Sequence, residues 1–97
     1  SIINLSSIAA RRLQPDLMAY SISCAALEQM TRAMGVELAQ YRIRVNAVAF
    51  GSVMSASLKG TLKEHQDFRG DIIENTPLAR IASAIEGLRC SMVCALV

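Results

Sequence analysis

The chain has no tryptophan, two tyrosines and two phenylalanines, so aromatic residues make up 4% of its 97 residues. A core built from it must be aliphatic and methionine-rich, and a chain this short leaves much of its surface exposed after folding. The scarcity of aromatics also removes the stacking platforms of a nucleic-acid reader. The net charge of +2 is scattered, with only Arg11-Arg12 and Arg42/Arg44 as pairs, which reads as solvated loop and strand-end arginines. There is a single histidine, His65, and three cysteines. An odd cysteine count argues against a secreted disulfide framework, and closed zinc sites need four ligands, so Cys90 and Cys94 are expected as buried free thiols and no metal site is expected.

Long apolar runs are missing too. The longest, Met92 to Val97, falls far short of the roughly 20 residues that cross a bilayer. The opening residues lack a basic segment, an apolar stretch and a small-residue cleavage pattern, and Ser1 is not an initiator, so a soluble cytoplasmic chain is expected. Also absent is any G-x-x-x-G-x-G run of the kind that seats a pyrophosphate on a helix N-terminus.

What is present reads as strand, helix, strand. Ile2 to Ser6 is a short β-branched run ending in a serine pair, the pattern of a buried parallel strand, with Ser7 at its carboxyl end. Ala9 to Leu17 has no sustained period, and Pro15-Asp16 closes a loop that offers Asp16 as a helix N-cap. A helix over Met18 to Tyr41 follows. On its wheel Ala19, Ile22, Ala26, Leu27, Met30, Ala33, Met34 and Leu38 share an arc wider than the ~100° of a minimal core-facing stripe, so part of it is expected to face another helix. Glu28 and Arg32 lie opposite as an i, i+4 pair facing water. Tyr20 and Cys24 stand one turn apart at the border of the arc, where a tyrosine keeps its ring packed while its hydroxyl reaches a cleft.

Arg42 to Ala49 reads as a second strand, and two parallel strands joined by a helix form a right-handed βαβ unit. Gly51 breaks it. Ser57 to Glu74 reads as two short helices with hinges at Gly60 and Gly70. Met54, Leu58, Leu62 and Phe68 are apolar positions that by themselves read as plain helix packing.

The run Ile2-Ile3-Asn4-Leu5-Ser6-Ser7, then Tyr20-Ser21-Ile22-Ser23-x-Ala25-Ala26, then Glu37-Leu38, then Ile43-Arg44-Val45-Asn46-Ala47-Val48-Ala49-x-Gly51, resembles the second half of a classical short-chain dehydrogenase/reductase. The likeness covers residues 1–82, including Pro77-Leu78-Ala79-Arg80, while 83–97 diverges, as a premature or frame-altered end or as a divergent terminal helix. It implies an α/β fold: part of a Rossmann-like, doubly wound parallel sheet in which residues 1–97 are one partial domain without its N-terminal nucleotide-binding half. It further implies an NAD- or NADP-dependent oxidoreductase of secondary alcohols or ketones, of hydroxysteroid or 3-oxoacyl type. Ser7 would orient the substrate oxygen and Tyr20 would pass the proton; a turn serine and an ordinary half-buried tyrosine are the plain alternatives. Gly51, Val53 and Ser55 would touch the nicotinamide.

The likeness also shows what is altered. It implies lysine at position 24, whose ammonium would tune the tyrosine and hold the nicotinamide ribose, but Cys24 stands there. A phenol with its usual pKa near 10 needs a positive neighbour to act near neutrality, which a thiol cannot supply. Phe50 replaces the family's proline before Gly51, loosening that turn and adding bulk beside the nicotinamide. The chain is therefore expected to be inactive by itself and to bind the dinucleotide poorly. The alternative function is that of a non-catalytic pseudoenzyme or interaction fragment, packing its long helix against a second copy. A thiol role for Cys24 is a weaker reading, since no histidine or lysine lies near it in sequence.

Overall fold

The structure, a computed structural model, describes residues 1–13 and 15–89, so Cys90, Cys94 and most of the expected divergent tail lie outside the described residues. Two compact units are present, one holding Ser1–Gly51 and the other Ser52–Arg89.

In the first unit β1 (Ile2–Ser7) pairs in parallel with β2 (Val45–Phe50), in a register running from Ile2 opposite Val45 to Ser7 opposite Phe50. A parallel pair needs a long crossover, and α1 (Met18–Glu37) supplies it. Successive strand residues face opposite sides of a sheet, which puts Asn4, Ser6, Ala47 and Ala49 on one face. Two hydrogen bonds identify it as the face that α1 covers: Asn4 Nδ2 donates to Thr31 Oγ1 at 2.9 Å, and Ser6 Oγ donates to the Cys24 carbonyl at 3.3 Å.

The buried residues of α1 are Ser21, Cys24, Glu28 and Thr31, spaced three and four apart as one helix face requires. This overturns the expected orientation. Ile22 is 62% exposed and Met30 47%, Ala19, Ala26 and Ala33 face water, and Leu27, Met34 and Leu38 are only half-buried. Asn4 and Ser6 bond across the seam to Thr31, Cys24 and Glu28, while the Ser21 hydroxyl is buried there without a partner among the described residues, and the bulkier apolar arc is left outside. Glu28, expected in water, is among the most enclosed side chains, and only its partner Arg32 is exposed. Among the described residues the buried apolar positions are Ala9, Cys24 and Val48, a small core.

Several boundaries also moved. Asp16 does not cap α1: it takes the left-handed conformation at φ 63°, and the capping position falls to Leu17, which makes no side-chain cap bond. Asp tolerates that region better than most residues. The helix ends at Glu37, a 3₁₀ turn follows over Ala39–Tyr41, and Arg42 at φ 57° turns the chain back. The second strand consequently starts at Val45, not Arg42, and runs through Phe50.

In the second unit Ser55 caps α2 (Ala56–Glu64), its Oγ accepting from the Leu58 N–H at 3.1 Å, and α3 (Gln66–Glu74) follows. The break between them is His65, while Gly60 and Gly70 lie inside the helices, so neither glycine is the hinge. Val53 forms a parallel bridge to Ala82, with the Met54 N–H donating to the Ala82 carbonyl at 2.8 Å. Residues 84–89 are helical behind a capping box in which Glu86 accepts from both the N–H and the hydroxyl of Ser83. Arg80 grips the same carboxylate with both terminal nitrogens. No helix among the described residues is long and apolar enough to cross a membrane.

Candidate active site

The carboxyl ends of parallel strands are where open α/β sheets bind ligands, and here that end is marked by Ser7 on β1 directly beside Phe50 on β2. Ser7 closes the strand and caps the 3₁₀ turn Ile8–Ala10, its Oγ accepting from the Ala9 N–H at 3.2 Å. The plain alternative, a capping serine, is thus realised, yet it leaves the chemical role intact. A hydroxyl accepts through its lone pairs and still has one O–H to donate. Capping fixes the Oγ in place and leaves its proton for an incoming oxygen. Gly51 follows Phe50, and a Cβ on it would stand 3.7 Å from Ile8 Cδ1, an ordinary contact.

Tyr20 lies in the first turn of α1 and is 51% exposed. Ser23 donates to the Tyr20 carbonyl at 2.7 Å, tying down that turn. Cys24, one turn on along the same side of the helix, is enclosed: it is 7% exposed, and its carbonyl receives the Ser6 hydroxyl. Residues 1–51 contain no lysine; the arginines there include Arg11 and Arg32, both of which meet Glu28.

Val53 and Ser55 belong to the second unit, where Val53 makes its bridge and Ser55 its cap. Met54, Leu58 and Leu62 are half-buried and Phe68 exposed within that unit. As a cradle for a dinucleotide the described residues fall short. None of the described glycines has positive φ, so there is no glycine-built phosphate nest among them, and Cys24 turns a thiol into the helix–sheet seam. Nor do the described residues gather three His, Cys, Asp or Glu side chains that could hold a metal ion.

The sequence reading missed the seam. Glu28 Oε2 accepts from Arg11 Nη2 at 3.0 Å and Nε at 3.2 Å, while Oε1 lies 3.4 Å from Ser6 Oγ. The signal was there in the 3-4-3 spacing of Ser21, Cys24, Glu28 and Thr31, hidden by a broader apolar arc beside it. Beside this seam runs an open groove of about 570 Å³, bordered by Arg11, Glu28, Thr31, Arg32 and Val45 among others. Ser7, Tyr20 and Cys24 do not line it, so the groove and the candidate catalytic groups are separate features.

Comparison with known proteins agrees with the α/β fold. Residues 1–94 match the family model described as enoyl-(acyl carrier protein) reductase. An uncharacterized oxidoreductase of Schizosaccharomyces pombe is 33% identical over 93% of this chain and 30% of its own length. The human 3-oxoacyl-[acyl-carrier-protein] reductase is 35% identical over 89% of this chain and 34% of its own. Among solved structures, an NADPH-bound short-chain oxidoreductase from Pseudomonas aeruginosa PAO1 with an atypical catalytic center superposes with a TM-score of 0.84 at 26% identity, covering 97% of this chain and 38% of that one. The chain spans about a third of the length of the curated relatives it matches.

Proposed function

The chain belongs to the short-chain dehydrogenase/reductase family, and from that premise we propose that it is one portion of an NAD(P)-dependent oxidoreductase of secondary alcohols or ketones, silenced at position 24. Ser7 and Tyr20 are assigned the chemistry. The Ser7 O–H, held at the strand end by its cap, donates to the carbonyl oxygen of the substrate. The Tyr20 phenol gives its proton to that oxygen as charge develops on it. Gly51, Val53 and Ser55 are assigned to the nicotinamide side by position in the motif. Residues 1–97 are read as one partial dehydrogenase domain, and the apolar residues Met54, Leu58, Leu62 and Phe68 favour a 3-oxoacyl or hydroxysteroid type of substrate.

The observation that carries the silencing is Cys24 itself, buried against β1 with no cationic group of its own. A thiol has no positive charge in either protonation state, so the phenol lacks the neighbour that would let it work as an acid or base near neutrality. Losing a tuned acid/base group costs on the order of 10²- to 10⁴-fold in rate. Incubation of the chain with NADH or NADPH and a panel of 3-oxoacyl thioesters and steroid ketones is expected to leave the cofactor absorbance unchanged. Turnover that disappears in Tyr20→Phe would refute the silencing.

The exposed apolar face of α1 favours a second reading, a non-catalytic subunit that packs this helix against a second copy. Light scattering behind size exclusion decides it. A well-dispersed monomer at high concentration rules it out, and a dimer dissociated by Ile22→Glu supports it.

A further inference from the structure

Three residues outside the assigned chemistry are tied together across the seam. Ser6 and Arg11 flank Ser7 in the chain, and both meet one carboxylate on the helix that carries Tyr20. Glu28 divides the work between its oxygens: Oε1 faces the Ser6 hydroxyl at 3.4 Å, and Oε2 receives two N–H groups of Arg11 at 3.2 and 3.0 Å. We propose that Glu28 is a positioning residue, a clamp that holds both ends of the Ser6–Arg11 segment on α1 and thereby fixes where the Ser7 hydroxyl points.

The geometry shows what the clamp adds. Ser7 is the last residue of β1, where the ladder of backbone hydrogen bonds stops, and beyond it lies only a three-residue 3₁₀ turn before an irregular loop. A turn that short has little rigidity of its own. The backbone tie at its far end is Arg11 N–H to the Ile8 carbonyl at 3.0 Å, with Arg12 N–H on the same oxygen at 2.9 Å. These bonds close the turn on itself, and its buried Ala9 packs it within the unit that α1 covers. The side chains of Ser6 and Arg11 add the polar anchorage, and they reach the same helix two turns beyond Tyr20.

The two arms differ in strength. Ser6 has one hydroxyl proton, shared between the Cys24 carbonyl at 3.3 Å and Glu28 Oε1 at 3.4 Å, so that arm is weak. Arg11 places Nε and Nη2 on a single oxygen, and hydrogen bonds between charged groups are roughly twice as strong as neutral ones. Arg11 is therefore the arm that matters most, and Arg32, 3.9 Å from Oε2 on the same helix, lends charge without tying α1 to the loop.

The inference rests on the assignment of Ser7 made above, but it is read by a different measurement. The Ala9 N–H is bound to Ser7 Oγ, so its hydrogen exchange reports directly on the pose of that hydroxyl. In the intact chain, exchange at Ala9 is compared with exchange at Leu27 and Met30 inside α1, which report opening of the whole unit. Arg11→Ala is expected to speed Ala9 by about tenfold beyond any change at Leu27 and Met30, the loss of one charge-assisted contact. Glu28→Gln should do the same, Arg11→Lys should restore part of the protection, and Arg32→Ala should leave Ala9 unchanged. An Ala9 amide that is indifferent to Arg11→Ala overturns the clamp, as does one that accelerates only in parallel with α1. An unprotected Ala9 in the wild-type chain overturns it too. In a Cys24→Lys chain fused to the upstream portion of a relative, turnover that survives Ser7→Ala would instead defeat the role given to Ser7 and leave the exchange result standing.

Discussion

Removing Arg11 should destabilise the chain more than removing the carboxylate it serves. The Glu28 side chain is 7% exposed, whereas Arg11 is 74% exposed. Deleting one member of a buried ion pair costs about 3–5 kcal/mol when it strands a charge in the interior. Arg11→Ala does strand the carboxylate, but water reaches the pair and Arg32 remains 3.9 Å away, so the cost is lowered to about 2 kcal/mol. Glu28→Gln strands nothing: the freed guanidinium is already in water, and the amide oxygen can still accept from Ser6. Its cost should be about 1 kcal/mol, the net value of the lost charge-assisted bonds. Arg32→Ala, an exposed and longer contact, should cost under ~0.5 kcal/mol. For a domain of this size about 1 kcal/mol moves the midpoint by roughly 4–8 °C, so thermal unfolding followed by circular dichroism resolves the order. The decisive comparison is the double variant. Arg11→Ala with Glu28→Gln should be more stable than Arg11→Ala alone, because the stranded charge has gone. Additive losses would show that the burial of Glu28 does not govern this seam.

Two other predictions concern the second unit. Ala79 sits at φ 50°, a left-handed conformation that costs a non-glycine residue about 1–2 kcal/mol. Ala79→Gly should therefore gain about 0.5–1 kcal/mol after the added freedom of the unfolded chain is subtracted, read as a raised urea midpoint; a lowered midpoint would contradict the turn geometry. Glu86 is held at about 2, below its ordinary 4.5, first by the hydrogen bonds from Arg80 and then by those from Ser83. Since the folded value is the lower one, the contact contributes fully above the unfolded value and is lost as pH falls through about 2. An NMR titration of the Glu86 carboxyl should give a midpoint near 2 that rises in Arg80→Ala, and an ordinary midpoint in the wild type would refute the pairing.

Element order and the parallel pairing of Ile2–Ser7 with Val45–Phe50 were legible in the sequence, because β-branched runs on either side of a long helical period leave few other arrangements. The position of Ser7 followed from the strand end. What periodicity could not tell was which face of α1 meets the sheet. Counting apolar residues selects the arc through Ile22 and Met30, but the face that is buried carries Ser21, Cys24, Glu28 and Thr31, the last three hydrogen-bonded to β1. Local rules misled in the same way elsewhere. Asp16 has the chemistry of a cap but takes a left-handed turn instead, and Gly60 and Gly70 are absorbed into helices that tolerate one glycine each at a cost of about 1 kcal/mol. At the face of α1 a nonlocal contact, and at Asp16 a backbone reversal, outweighed the residue's own preference.

The proposed silencing of Tyr20 by position 24 is tested most directly by restoring a cation there. In a fusion of this chain to the upstream portion of a relative, ketone reduction by the Cys24 form is compared with that of Cys24→Lys, each with and without Tyr20→Phe. Lysine is expected to raise the rate on the order of 10²-fold or more, and the gain is expected to vanish with the phenol. Equal rates for cysteine and lysine would contradict it and shift attention to Phe50, the other departure beside the strand end.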